Sequence, residues 1–427
     1  MLTILINAYA CSPNMGSEPG MAWNWCINLA KYCELHIITE GEFRDKIEAV
    51  LPTLPQGKNM HFYYTPVSEE VRKKCWNQGD WRFYFYYKKW QWKTYILAKE
   101  IIKMHKIDIV HQLNMIGFRE PGYLWKIENL PFVWGPIGGL KQFPTAYLKG
   151  ASIKQVIFNY IKNAINIIQL YFDSRIGKAF KKADLLISSI PDSYNAIRKY
   201  KGLDSVIIPE TGCFVKNNNL SIPRDLSDKY DDLNEKFQIL WVGKFDFRKQ
   251  LPIAIKAISM ANNRNIHLNI YGSGNNNQKE KIKRLIKELG IGDQITFYGK
   301  RSNNEVMDAM RKSHVFMFTS LSEDTSTVVL EAISNLLPVV CFNTCGMGYV
   351  IDESVGVKIN LTNTKKSIND FANVINDLEA DRNKLRILSK NCISKRIELS
   401  WENKASQMVR LYKKIIYNNG KGEKYSN

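Results

Sequence analysis

The chain has 427 residues, which is too long for one ordinary hydrophobic core, so two domains are expected. Its residues are 45% hydrophobic and 24% charged, a balance that excludes an intrinsically disordered chain. The formal net charge of +19 favours a polyanionic partner: nucleic acid, an anionic membrane face or a phosphorylated substrate.

Short β-rich apolar runs alternate with amphipathic helical stretches along the chain, as in parallel sheets with crossover helices. The sequence predicts strands at 2–9, 33–39, 61–66, 108–113, 131–135, 183–189, 237–243, 266–272, 295–299, 314–320 and 338–343. We therefore predict an α/β protein with two doubly wound Rossmann-like domains, 1–220 and 235–400. The polar stretch 216–236 is the predicted linker.

Both ends of the chain carry local signals. The first residues, MLTILINAYAC, are interpreted as a buried strand rather than a signal peptide, because the apolar run is short and contains Asn7. Residues 401–417 have a helical pattern and are predicted to cross back onto the body, with 418–427 as a flexible tail.

The compartment is inferred from apolar runs and cysteines. The sequence has no run of about 18 uninterrupted apolar residues, the length that a membrane span needs. Its eight cysteines are scattered, and the CxxxC pair Cys341 and Cys345 has no nearby histidine to complete a metal set. We expect buried thiols in a reducing cytosol, and a protein that is cytoplasmic or peripheral at the inner face of the plasma membrane.

Two basic segments interrupt the alternation and are interpreted as insertions near 70–106 and 141–182. The first has ten aromatic residues between Trp76 and Tyr95, and the second has eight basic residues with Asp173 as its one acid. Peripheral contact with an anionic membrane would explain both. Core packing of the aromatics, and an AT-rich genome as the source of the charge, remain alternatives. Nucleic acid is disfavoured because no recognition motif is present.

The stretch WVGKFDFRKQLPIAIKAI indicates a strand that ends at Gly243 and a helix that begins near Leu251. Lys244 and Lys249 flank the connecting loop, at the carboxyl edge of the predicted sheet. Two ammonium groups at this edge can neutralise a diphosphate. A solvated basic loop is the alternative interpretation.

The stretch SLSEDTSTVVLEAI predicts a loop that contains Glu323 and a helix that contains Glu331. Backbone N–H groups near Thr325, Ser326 and Thr327, at the helix N-terminus, favour an anion. An anion there, with Glu331 accepting hydrogen bonds from a ribose, describes a nucleotide diphosphate site. Glu323 would then face the group that the diphosphate carries. Alternatively, both acids simply favour a helix start.

Two glycine turns follow predicted strands. Gly16, Ser17 and Gly20 precede an apolar helix, in a loop suited to close backbone approach, although the G-x-G-x-x-G fingerprint is absent. Gly272 lies in YGSGNN, a turn that is a weak signal by itself.

The ordered series VGKFDFRKQ, YGSG, ITFYGKRSNNEV, SLSEDTSTVVLEA and LPVVCFNTCG, from about Phe237 to Gly348, resembles the C-terminal half of glycosyltransferase family 4. The resemblance implies the GT-B fold, two facing domains, and retaining sugar transfer from a nucleotide sugar without a metal. The N-terminal GSEPGMAWNW and residues 117–139 resemble a bacterial branch of surface-polysaccharide synthesis, such as O-antigen or capsule.

The resemblance also implies roles. The N-terminal domain would bind a glycan or lipid-linked glycan acceptor, and the C-terminal domain the donor, a UDP-sugar by default. No metal and no cofactor are expected. The implied catalytic residues are Lys249, Lys244 and Glu323, and the implied donor-binding residues are Glu331, Thr325, Ser326, Thr327, Gly16, Ser17, Gly243 and Gly272.

Three departures from the family pattern stand out. The family commonly has a donor-contacting histidine where this chain has 134–139 without one, and His111 matches a different position and is assigned no catalytic role. Lys244 replaces the commoner arginine, and CGMGYVI lacks a frequent acidic residue.

Three alternatives to a glycosyltransferase remain open. They are a nucleotide-sugar epimerase, a phosphorylase (without an identifiable pyridoxal phosphate lysine), and a membrane- or nucleic-acid-binding protein with a degenerate core.

Overall fold

The computed structural model describes residues 1–77, 80–215, 229–230 and 235–420. Most of the predicted linker 216–236 and most of the predicted tail 418–427 lie outside the described residues. The chain forms two compact units. Unit 1 comprises Met1–Lys141, Ala164–Glu210 and the chain from Trp401 onward, whereas unit 2 comprises Gln142–Asn163 and Thr211–Ser400.

Unit 1 contains a seven-stranded parallel sheet in the order β3-β2-β1-β4-β5-β6-β7. Its strands are β1 (Leu2–Ala8), β2 (Cys33–Thr39), β3 (Met60–Tyr64), β4 (Ile109–Asn114), β5 (Phe132–Ile137), β6 (Leu185–Ser188) and β7 (Val206–Ile207). The helices up to residue 201 are α1 (Ser17–Leu29), α2 (Arg44–Val50), α3 (Glu69–Trp76), α4 (Arg82–Met104), α5 (Ile153–Phe172), α6 (Ser174–Lys182) and α7 (Pro191–Lys201). The first half of α5 is assigned to unit 2.

Unit 2 contains a six-stranded parallel sheet in the order β10-β9-β8-β11-β12-β13. Its strands are β8 (Phe237–Val242), β9 (Ile266–Tyr271), β10 (Ile295–Gly299), β11 (Val315–Phe318), β12 (Val339–Phe342) and β13 (Gly356–Ile359). The remaining helices are α8 (Leu251–Ala261), α9 (Asn276–Leu289), α10 (Asn303–Lys312), α11 (Thr327–Ser334), α12 (Cys345–Val350), α13 (Thr364–Ala380), α14 (Arg382–Glu398) and α15 (Trp401–Gly420), the last of which belongs to unit 1.

The prediction of two parallel α/β sheets is confirmed. Each of the eleven predicted strands corresponds to a strand of the structure: the bounds of β2 and β10 are those predicted, and the ends of the others differ by one to a few residues. The sequence analysis missed β7 and β13, because runs of two and four residues are too short for a recognisable apolar pattern.

The sheet of unit 1 is buried on both faces, which is why its strands read as nearly continuous apolar runs. Ile4 and Ile6 point into one apolar cluster, and Leu5 points into the other. Helix α15 completes the first cluster with the buried side chains of Trp401 and Met408. All eight cysteines are reduced thiols, and seven of them are buried.

The aromatic segment divides between core and surface. Phe83, Tyr87 and Trp90 of α4 are buried around Tyr9, whose ring centroid lies 4.8 Å from that of Trp90. Core packing therefore accounts for the inner face of α4. Exposed rings remain on the outer side, with Trp81 78% exposed.

Helix α5 is amphipathic, but its asparagines face the protein and most of its apolar side chains are exposed. Asn163 and Asn166 turn inward and donate their side-chain N–H groups to the backbone carbonyls of Phe143 and Gly139, at 3.0 and 3.3 Å. The outward face is mostly apolar, with Lys154 among its exposed residues, and the exposed apolar side chains of the helix are Ile153, Ile157, Phe158, Tyr160, Ile161, Ile165, Ile167, Ile168, Tyr171 and Phe172. Within the described part of the chain, no helix has the length and apolarity needed to cross a bilayer.

Candidate active site

The strand order of unit 2 reverses between β8 and β11, which are neighbours in the sheet although helices and two strands separate them in the chain. At such a reversal the two following loops diverge and leave a crevice at the carboxyl ends of the strands, where open α/β sheets bind ligands. Lys249 follows β8 and Glu323 follows β11, so both lie beside this crevice.

The loop after β8 has a defined turn. The Asp246 carboxylate accepts a hydrogen bond from the backbone N–H of Lys249 at 3.0 Å and caps the short helical turn Phe247–Lys249. Gln250 then has a left-handed backbone with φ of 51°, and α8 begins at Leu251 as predicted. This turn fixes the backbone of Lys249 at the start of the crevice.

Hydrogen bonds join this loop to the loop after β11. The Leu321 N–H donates to the carbonyl of Arg248 at 3.0 Å. The Thr319 hydroxyl donates to the carbonyl of Lys249 at 2.8 Å and accepts from the indole N–H of Trp241 at 3.1 Å. Because these groups are buried or partly buried, the two loops are held together as one structure.

Lys249 and Glu323 form an ion pair between the two loops, and each side chain is 12% exposed. The Ser320 hydroxyl donates to the Glu323 carboxylate at 3.0 Å, and the Lys249 ammonium lies 4.8 Å from the ring centroid of Phe318. Burial alone would raise the pKa of Glu323, but Lys249 and Arg248 hold that pKa below its usual value. The structure thus brings two of the predicted site residues into direct contact.

Glu331 lies on α11, whose N-cap position is Ser326. The Asn303 amide donates to the Glu331 carboxylate at 3.3 Å. Burial raises the pKa of Glu331, and the hydrogen bond from Asn303 opposes this effect. Thr325 and Ser326 are buried and Thr327 is half-buried at the first turn of the same helix.

Gly243 and Gly272 stand at the ends of β8 and β9. Gly272 has φ of +143°, and a Cβ atom there would lie 1.8 Å from the carbonyl oxygen of Gly243. The Gly243 N–H donates to the carbonyl of Tyr271 at 3.0 Å. Close approach of two strand ends therefore explains the glycine at 272 without reference to a donor.

The predicted residues Gly16 and Ser17 belong to unit 1. Both are exposed at the start of α1, in the loop after β1, and Ser17 has φ of 56°. The sheet of unit 1 reverses its strand order between β1 and β4, so this loop also follows a switch point.

The loop after β8 carries a third cation that the sequence analysis missed. Lys244 is exposed and makes no ion pair with any residue that the structure describes. Arg248 is 47% exposed on its side chain and lies 3.5 Å from the Asp246 carboxylate. Arg248 could have been identified from the sequence FRKQ, because any cation in this loop adds positive charge to the same crevice.

His111 is buried in unit 1 with both ring nitrogens bonded. Its Nε2 lies 2.7 Å from the carbonyl of Gly135, and its Nδ1 lies 2.6 Å from the hydroxyl of Tyr412. Since a carbonyl only accepts, Nε2 carries the proton and Nδ1 accepts from Tyr412. Burial lowers the pKa of His111 to about 4. These contacts describe a neutral structural histidine.

The part of the chain that contains this site is similar to known proteins. The family model described as "Glycosyl transferases group 1" matches residues 224–395, which contain the ion pair and Glu331. The human alpha-1,3/1,6-mannosyltransferase ALG2 is 24% identical over 154 residues, which are 32% of this chain and 37% of that protein. N-acetylgalactosamine-N,N'-diacetylbacillosaminyl-diphospho-undecaprenol 4-alpha-N-acetylgalactosaminyltransferase of Campylobacter jejuni is 28% identical over 184 residues, 43% of this chain and 47% of that protein.

The chain thus spans less than half the length of these curated relatives. The similarity to solved structures extends over almost the whole chain. The crystal structure of Alr3699/HepE from Anabaena in complex with UDP has a TM-score of 0.60 and 14% sequence identity, and covers 97% of this chain and 100% of that one. With two parallel-sheet α/β units, the fold is of the GT-B type, as the resemblance implied.

Proposed function

We propose that the protein is a retaining glycosyltransferase that moves a sugar from a nucleotide diphosphate sugar to a glycan or lipid-linked glycan, without a metal. The observation that carries this proposal is the Lys249–Glu323 pair, clamped between the loops at the switch point of the family-matched unit. Uridine diphosphate is the preferred donor group, since the similar Anabaena structure binds UDP.

The chemistry follows from charge. As the bond between sugar and diphosphate breaks, negative charge grows on the phosphate oxygens. Lys249, Lys244, Arg248 and the N–H groups at the start of α11 are cationic or dipolar donors that can stabilise this charge, the task that a metal performs elsewhere. Once Lys249 turns to the diphosphate, Glu323 is released to accept hydrogen bonds from sugar hydroxyls. Glu331 accepts from the ribose.

Saturation-transfer NMR with a panel of nucleotide sugars tests donor binding, and analysis of the products with and without acceptor tests transfer. We expect signals for one class of nucleotide sugar, and a product with the donor's anomeric configuration. Release of sugar from the nucleotide without an acceptor would favour the epimerase. Absence of binding by every donor would favour the degenerate, non-enzymatic protein and refute the proposal.

The acceptor and the cellular role form the second part of the proposal. The Campylobacter relative has a diphospho-undecaprenol group in its name, which supports a lipid-linked acceptor. A role in bacterial surface-polysaccharide synthesis, in the cytoplasm at the inner face of the plasma membrane, fits this acceptor.

Peripheral membrane contact is proposed through α5. Its exposed apolar face would enter the headgroup region, where the net charge of +19 favours anionic lipid. In liposome flotation we expect recovery with anionic vesicles that declines as salt rises. Equal recovery with neutral vesicles, or none with either at low salt, would contradict this contact.

A further inference from the structure

Three of the six histidines of the chain meet on one face of the unit 1 sheet, whereas the proposed transfer site belongs to unit 2. His36 of β2 and His61 of the edge strand β3 are register partners, so their side chains point to the same face. Their ring centroids are 4.9 Å apart, and the ring of His105, which ends α4, lies 4.3 Å from that of His36. Glu34 shares this face, two residues before His36.

We propose that Glu34, His36, His61 and His105 form a zinc-binding site that joins the edge of this sheet to the end of α4. One ligand atom from each of Glu34, His36 and His61 lies within 4.8 Å of the others. The distance from His61 Nε2 to Glu34 Oε1 is 3.1 Å. Two ligands of tetrahedral zinc are separated by roughly 3.3 Å, given metal–ligand bonds of about 2.0–2.1 Å.

The hydrogen bonds around the cluster suit metal binding. The Tyr63 hydroxyl lies 2.9 Å from His36 Nδ1 and 3.4 Å from His105 Nε2. A partner on Nδ1 orients the His36 ring and makes Nε2 the nitrogen that can bind a cation, the arrangement seen around metal-bound histidines.

The donor set defines the class of metal. Three imidazoles and one carboxylate favour zinc, nickel or copper over magnesium or calcium, which prefer oxygen ligands. Glu34 and His36 lie in the first half of β2, whereas ligands of open α/β sheets bind beyond the carboxyl ends of the strands. The site is therefore structural, and its existence does not depend on the proposed sugar transfer.

The test uses full-length protein without a histidine tag, treated with EDTA, desalted and titrated with Co²⁺ as a visible probe. We expect one equivalent to bind with d–d absorption bands, and Zn²⁺ to displace it. H61A and H105A should weaken Co²⁺ binding by at least about 10²-fold, since loss of even an outer-shell partner costs 10–100-fold. Both side chains reach solvent, so these variants are expected to fold.

H267A is the matched control, because His267 lies in unit 2 and bonds to Thr296. It should bind Co²⁺ like the wild type. Zn²⁺ should also raise the unfolding temperature of the wild type and of H267A, but not of H61A. Equal Co²⁺ affinity in H61A, H105A and H267A, or no stoichiometric binding by the wild type, would overturn the proposal.

Discussion

Lys249 and Glu323 neutralise each other, and this ion pair has both a cost and a benefit for the proposed reaction. In the proposed mechanism a donor would compete with Glu323 for the ammonium group of Lys249, whose side chain is already only 12% exposed. Electrostatic groups that are oriented before reaction act most strongly on charge that develops in the transition state.

We predict that K249A lowers turnover at saturating donor by about 10²–10³-fold, because the lost contact acts on charge formed as the bond breaks. E331A should mainly raise the KM for donor, because a ribose contact is the same before and during reaction. Steady-state kinetics separates the two effects. K287A, on the exposed end of α9, is the control; near wild-type turnover for K249A would contradict its catalytic role.

Gly272 yields a prediction about stability. G272A should lower the free energy of unfolding by about 3 kcal/mol or more, because the new Cβ atom meets the Gly243 carbonyl and the backbone is strained. G292A is the control, since nothing lies within 4 Å of a Cβ atom there, and its change should stay within about 1 kcal/mol. Urea denaturation measures both; equal losses would refute the packing role of Gly272.

The residues of the site were partly predictable. Family-like spacing selected Lys249, Glu323 and Glu331, but the direct contact of Lys249 with Glu323 depends on the order of strands in the sheet. That order is set by long-range pairing, which local pattern does not contain. The same limit hid Asn303, which reaches Glu331 from a different helix.

At the scale of elements, α5 differs from an ordinary surface helix because its asparagines face the protein. The side-chain amides of Asn159, Asn163 and Asn166 each donate to a backbone carbonyl, so these inward polar groups are satisfied beside the buried Leu170. The sequence predicted an insertion over 141–182, but not which face of its helix would be outward. A period of 3.6 residues defines two faces, and only tertiary contacts decide which one is buried.

The double variant I157E/I161E should abolish flotation with anionic vesicles, because it puts two carboxylates into the apolar face of α5. I387E is a matched control, since Ile387 is 53% exposed and Ile161 is 52% exposed. Circular dichroism verifies that each variant is folded. If I387E weakened flotation as much as the double variant, α5 would not be the contact surface.

At the scale of the whole molecule, each unit contains a histidine held neutral by burial. His111 is the example in unit 1. In unit 2, His314 Nδ1 accepts from the Gln238 N–H, and Nε2 lies 2.8 Å from the carbonyl of Lys229. Burial lowers the pKa of His314 to about 4, as it does for His111. Protonation of His314 would break the bond from the Gln238 N–H, whereas at His111 the Tyr412 hydroxyl would have to turn from donor to acceptor.

Both pKa values are below the ordinary value of about 6.5, so the unfolded chain binds more protons between these limits. The stabilisation is therefore complete above about pH 6.5 and is lost as the pH falls toward 4. We predict that the titration of His111 and of His314 each lowers the free energy of unfolding by about 2 kcal/mol when the pH falls from 7.5 to 5.0. H111Q should reduce this decrease by about that amount in urea titrations. If the wild type were as stable at pH 5.0 as at pH 7.5, or more stable, this prediction would be wrong.

The fold was the most predictable level. Eleven strands and the two-sheet organisation follow from apolar runs that recur throughout the chain, so single errors at strand ends do not alter the result. The assignment of residues 142–163 to unit 2 was not foreseen. It rests on contacts such as the hydrogen bond between Tyr147 and Ser367, which are 220 positions apart.

Helix α15 follows the whole of unit 2 in the chain, so it is translated after the other described elements of unit 1. Trp401 packs on Trp25 with ring centroids 5.9 Å apart, and Tyr412 bonds His111, so the apolar cluster beneath α1 is incomplete until α15 has been made. At about 5–20 residues per second, translation of Thr211–Ser400 takes on the order of 10–40 s. During that interval the nascent chain exposes an unfinished apolar surface, which makes it a substrate for chaperones.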